Sequence, residues 1–200
     1  SYVYDLLKIN DLKKKLLVFE LNSKRRIILI SVSKDIKNSK IENLGAELYG
    51  VINTKKNIGE YFIYSDSLTI KHPNFISYLL HGFKLKSYQF NKYKTKKDSK
   101  LLKINILGKK NKPSSKNQIR FNALEKGTFY TRDLVSEPGN VLHPDEYAKR
   151  LRSLKKYGLK VQVYDNKKMK KMGMNALIGV GQGSVRGSYL VTMEWKGLKN

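Results

Sequence analysis

Two hundred residues, 40% apolar and 28% charged, suffice for one large or two small packed domains and exclude wholly disordered, collagen-like and coiled-coil chains. The apolar runs, such as Ile27–Val32, fall far short of the ~18 residues of a membrane span, and zero Cys removes disulfides, thiolate metal sites and cysteine nucleophiles, which fits a cytoplasmic location. The +25 net charge implies salt-sensitive, non-specific attraction to polyanions, but only seven of the 41 basic residues are Arg and the Lys are dispersed, the pattern of a solvated surface.

In chain order, Leu16–Leu21 and Arg26–Val32 read as strands joined by a turn at Asn22-Ser23-Lys24. Ser39 with Glu42 resembles a capping box, and Ile41, Leu44, Leu48 and Val51 then share one helical face. Tyr61–Tyr64 predicts a strand. Pro73 suits a first helical turn, with Ile76, Leu79, Leu80 and Phe83 as the stripe behind it. Leu101–Leu107 predicts another strand, and the loop Gly108–Lys116 marks a domain boundary, dividing the chain into 1–110 and 111–200.

Beyond that loop, Gln118–Leu134 predicts a connecting helix, and Pro144 with Asp145 and Glu146 opens a second. Leu159–Tyr164 reads as a strand and Asn166 as the cap of a Lys-rich turn ending at Gly173. Ala176–Val180 and Tyr189–Trp195 read as buried strands flanking the turn Gly181-Gln182-Gly183-Ser184, where glycine is expected on backbone grounds. The alternation implies an α/β fold with largely parallel pairing.

The chemistry-bearing residues are sparse. His72, His81 and His143 are isolated, with no metal-ligand spacing; His72 and His143, each before a Pro at a helix start, read as structural or surface residues, and His81 as a boundary residue of its helix. The segment Gly179–Ser184 matches neither a P-loop nor a dinucleotide fingerprint. Asp145 and Glu146 are explained as helix N-terminal anions, and Asp133 as a partner of Arg132 or Arg150. No catalytic, cofactor-binding or metal residue emerges from spacing.

Three ordered segments carry a family resemblance: Leu79-Leu80-His81-Gly82 with Ser87–Thr95, then Thr131-Arg132-Asp133-Leu134-Val135-Ser136-Glu137-Pro138-Gly139-Asn140-Val141-Leu142-His143-Pro144, then Met172–Ser184 with Tyr189–Trp195. Together they resemble the leucyl aminopeptidase (cytosol aminopeptidase) family. The resemblance implies a macro-like α/β N-terminal domain followed by the beginning of the α/β catalytic domain. It further implies a metal-dependent hydrolase of intracellular protein turnover that removes unblocked N-terminal residues from peptide substrates, with two divalent ions (Mn or Zn, Mg in some members) and a homo-hexameric, cytoplasmic assembly. There the metals polarise the scissile carbonyl and supply hydroxide. The family's ligand stretches, one with Gly-Lys-Gly and a Phe-Asp pair and one reading Asn-Thr-Asp-Ala-Glu-Gly-Arg, do not occur among these residues. No catalytic or metal residue is therefore carried over, and the chain is expected to be an inactive fragment that stops before the metal-binding motifs. The alternative is a basic nucleic-acid-binding module without enzymatic activity.

Overall fold

The structure, a computed structural model, describes residues 4–5, 8, 15–22, 25–53, 59–95 and 102–197. Two compact units divide it, Ser1–Arg132 and Asp133–Asn200.

In the first unit, β1 (Leu16–Asn22) and β2 (Arg25–Ile30) pair antiparallel, Leu16 with Ile30 and Phe19 with Ile27, as neighbours joined by a short link do. The expected turn residues Ser23 and Lys24, like Leu101, lie outside the described residues. Helix α1 (Asn38–Ile52) follows, with Lys37 at the N-cap and no side-chain cap. The capping box is not formed, because the helix starts one residue before Ser39; Asn38 Oδ1 instead meets His72 Nε2 at 3.0 Å.

Strand β3 (Glu60–Tyr64) pairs in parallel with β4 (Lys103–Leu107), in register from Glu60 with Lys103 to Tyr64 with Leu107. The crossover between them carries helix α2 (Phe75–Lys86), which begins two residues after Pro73. The apolar stripes of the two helices interlock. Ile41, Leu44, Leu48 and Ile52 of α1 and Phe75, Ile76, Leu79 and Phe83 of α2 form one buried core, against which Leu16, Ile28, Ile30, Tyr61, Ile63, Ile104 and Ile106 pack from the strands. The axes approach so closely because each helix carries a glycine at the crossing. A β-carbon on Gly45 would meet the Leu79 carbonyl oxygen at 1.9 Å, and one on Gly82 the Glu42 carbonyl oxygen at 1.9 Å.

The loop after β4 is folded onto the first unit. Gly108 takes a positive φ of 117°, the Asp66 carboxylate accepts the N–H groups of Lys109 and Lys110, and Ser65 Oγ lies 2.9 Å from the Leu107 carbonyl and 2.6 Å from that of Lys110. Helix α3 (Ser115–Ser136) then extends the helix expected at 118–134 at both ends. Its Phe121 is buried with an edge contact to Tyr78, so most of α3 belongs to the first unit. The observed division falls after Arg132, near the end of α3, rather than at the 108–116 loop. The two placements differ by the length of that helix.

In the second unit, α4 (Pro144–Arg152), β5 (Lys160–Tyr164), α5 (Asn166–Lys171), α6 (Asn175–Gly181) and β6 (Leu190–Glu194) surround a small core of Ala148, Val161 and Met169. Two expectations are overturned here. Ala176–Val180 is not a strand but most of α6, with Leu177 44% and Val180 88% exposed. An apolar run of five residues has no period that separates strand from helix. Strand β6 forms near Tyr189–Trp195, but with Met193 and Trp195 at least half exposed, and it pairs antiparallel with β5, Lys160 opposite Glu194. The two short helices α5 and α6 return the chain in the opposite sense, so β3–β4 is the one parallel pair among the described residues. The α/β character holds while the largely parallel pairing does not.

The glycine turn is likewise differently built. Positive-φ glycines are Gly108, Gly158 and Gly173, not those of 179–183. Gly181 closes α6, where a β-carbon would collide with Ser188 Oγ at 1.9 Å.

Candidate functional site

Two of the resembling segments meet in the first unit. Arg132 Nη1 donates to the Leu85 carbonyl at 2.6 Å, near the C-terminus of α2, where unpaired carbonyls favour a cation. Its guanidinium also lies 5.4 Å from the centre of the Tyr88 ring, and Tyr88 packs on Phe129 of α3 at 5.3 Å. Between the same helices, His81 Nδ1 lies 2.9 Å from Glu125 Oε1, with both side chains largely buried and Phe121 against the imidazole at 4.6 Å. His81, whose sequence context suggests a residue at the boundary of its helix face, is instead buried and paired with Glu125 between α2 and α3. Its partner Glu125 lies 44 positions away, and no local spacing announces it.

In the second unit the Ser136–Pro144 stretch leads into α4 through side-chain locks. Glu137, its carboxylate almost completely buried, meets Arg150 Nη1 at 3.0 Å, while Arg150 Nε holds Glu146 Oε1 at 3.0 Å one helical turn back. These carboxylates hold the guanidinium in its charged form, Glu146 first and Glu137 second, and Arg150 in turn keeps the Glu146 carboxyl below its ordinary value. His143 occupies the N-cap of α4, accepting the Glu146 N–H at Nδ1, and Pro144 takes the first helical position.

The densest polar gathering of this unit is at Asp145. The Tyr189 phenol faces its carboxylate, Arg186 Nη1 lies 3.2 Å away and His143 Nδ1 3.2 Å. Tyr189 is the main cause holding the Asp145 carboxyl below its usual range, followed among the lowering contacts by Arg186; reciprocally, Asp145 pushes the Tyr189 phenol upward. The expectation that Asp145 acts simply as a helix N-terminal anion missed this role, since Arg186 and Tyr189 arrive from 41 residues or more along the chain.

His72, His81 and His143 form no common cluster in these contacts: His72 meets Asn38, His81 meets Glu125 and His143 accepts the Glu146 N–H. Among the described residues no three His, Cys, Asp or Glu come together in a way that could hold a metal ion. At Asp145 the Arg186 guanidinium already fills the place a cation would take. The described residues therefore do not fit a two-metal centre, and no reaction step is assigned to them.

Residues 129–200 match the family model described as the cytosol aminopeptidase family, catalytic domain. A probable cytosol aminopeptidase of Nitrobacter winogradskyi is 35% identical over 181 residues, covering 87% of this chain and 36% of that protein. One of Chelativorans sp. is 43% identical over 123 residues, 59% of this chain and 25% of that protein. The chain thus spans about a third or less of the length of these relatives. In fold it is similar to the bottromycin maturation enzyme BotP in complex with Mn, at TM-score 0.73 and 16% identity over 95% of this chain and 41% of that one. It is also similar to the cytosol aminopeptidase of Coxiella burnetii, at TM-score 0.68 and 20% identity over 96% of this chain and 42% of that one. On these matches the chain belongs to the cytosol aminopeptidase family.

Proposed function

We propose that the activity served by this chain is that of a metal-dependent aminopeptidase, which releases unblocked N-terminal residues from peptides in cytoplasmic protein turnover. The observation that carries this reading is the match of residues 129–200 to the family's catalytic domain. Mn or Zn as the ions and a hexamer as the assembly are what the family resemblance implies; the neighbour BotP is itself in complex with Mn.

In this reading the described residues supply framework. The Arg150 network fixes the loop into α4, and the Asp145 contacts fix the approach to β6. The metal ligands and the groups that act on substrate lie among other residues, so the 200-residue chain alone is inactive. The nucleic-acid-binding alternative gains no support from the relatives.

The test is hydrolysis of an N-terminal leucyl amide with added Mn²⁺, comparing the 200-residue chain with a form extended by whatever its reading frame encodes downstream. Hydrolysis by the extended form alone is the expected result. An extended form that carries the ligand motifs and shows no hydrolysis overturns the aminopeptidase reading, and turnover by the 200-residue chain overturns its role as framework only.

A further inference from the structure

Between α6 and β6 the chain runs through Gln182–Gly187 with none of these residues in the core of its unit. Val185 stands fully exposed between Ser184, whose hydroxyl accepts the Arg186 N–H at 3.1 Å, and Arg186 itself. Glycines at 181, 183 and 187 bracket the segment. Polar contacts at its C-terminal side hold it. Arg186 reaches Asp145 at 3.2 Å, the Tyr189 phenol faces the same carboxylate, and the Ser188 N–H reaches Asn166 Oδ1 at 3.2 Å. A segment with little apolar burial opens at a free energy set by such contacts, and here two of the three end on one side chain.

We propose that Gln182–Gly187 is a hinged strap latched by Asp145, and that the charge on this carboxylate decides whether the strap lies closed against the start of α4 or swings free. The groups facing Asp145 are His143 from the helix start and Arg186 and Tyr189 from the strap and its exit; Asp165, ahead of α5, faces Tyr189. Neutralising Asp145 removes the ion pair and weakens the phenol contact at once, whereas removing the phenol hydroxyl leaves the ion pair in place.

The experiment is limited digestion of the full chain with an Arg-specific protease, following cleavage after Arg186 by mass spectrometry relative to cleavage after Arg120 in α3. Asp145→Asn should speed cleavage at Arg186 by roughly three- to tenfold relative to Arg120, with a smaller rise for Tyr189→Phe. Glu194→Gln, which alters a carboxylate of the same unit bound to Lys160 and Lys196, should leave the ratio unchanged. If Asp145→Asn loosens every Arg site equally, Tyr189→Phe decides: a rise confined to Arg186 supports the latch, and none overturns it. Equal cleavage at Arg186 in all four proteins also overturns it.

Discussion

Gly82 of α2 sits so close to Glu42 of α1 that a β-carbon added to it would lie 1.9 Å from the Glu42 carbonyl oxygen. The obstacle is backbone, which cannot rotate away as a side-chain tip can. Alanine in a helix interior is ordinarily favoured over glycine by up to ~1 kcal/mol, and here the sign should reverse. Gly82→Ala and Gly45→Ala should each destabilise the first unit by about 3 kcal/mol, the upper end of overpacking costs, measured by urea denaturation. Gly127→Ala in α3, with nothing within 4 Å of the added carbon, should be neutral or stabilising. A neutral Gly82→Ala would show that the helices cross more loosely than described.

The His81–Glu125 pair joins α2 to α3 with its side chains 8% and 14% exposed. Removing one partner leaves the other buried without its hydrogen bond. Glu125→Ala should cost about 2–4 kcal/mol, and His81→Gln, which keeps a polar group facing Glu125, less than half of that. A double-mutant cycle checks the coupling, and strict additivity of the two substitutions would refute it.

Asp66 gives a pH dependence whose sign is fixed by its contacts. The Lys109 N–H first and the Lys110 N–H second hold its carboxyl below the ordinary value. A depressed folded-state pKa contributes stability that is present above the ordinary carboxyl range, ~3.9, and lost as pH falls through the folded value. The Lys109 and Lys110 amide resonances should therefore titrate with a midpoint below that of an unstructured Asp, and Asp66→Asn should abolish the transition. A midpoint at or above ~3.9 would contradict the clamp.

Polyanion binding should be generic. Raising salt to ~200 mM should weaken retention on a DNA filter as steeply as for a Lys-rich control of similar charge. Retention that survives such salt while the control is lost would require a specific site.

Legibility followed the length scale of the information. Both helical stripes of the first unit were readable because a helix repeats its face every three or four residues: Ile41, Leu44, Leu48, Ile76, Leu79 and Phe83 are in the core and Leu80 packs partly against it, while Ile52 rather than Val51 takes the last buried position of α1. Ala176–Val180 was misread because a short apolar run carries no period, and β6 was misread as buried for want of knowing its neighbours. The capping box at Ser39 has the right residues at the right spacing, yet the helix starts at Asn38. The polar locks at Asp145, Arg150 and Glu125 include contacts 13 to 44 residues apart, which composition and periodicity do not encode. The family resemblance drew instead on the wording of whole segments, which is why it identified the chain while leaving its side-chain geometry unseen.

The parallel register of β3 and β4 also constrains the order of folding. Glu60 meets Lys103 only after the intervening chain, α2 included, has been gathered, so the ladder must close a loop of about 40 residues. The hairpin of β1 and β2 closes over a few residues. Contacts of long sequence separation lower the folding rate when they belong to the nucleus. If the α1–α2 crossing forms first and β4 docks afterwards, trimming Ile104 or Ile106 to Val should leave the refolding rate nearly unchanged and appear as faster unfolding. A chevron plot in which these substitutions slow refolding would place the parallel ladder inside the nucleus instead.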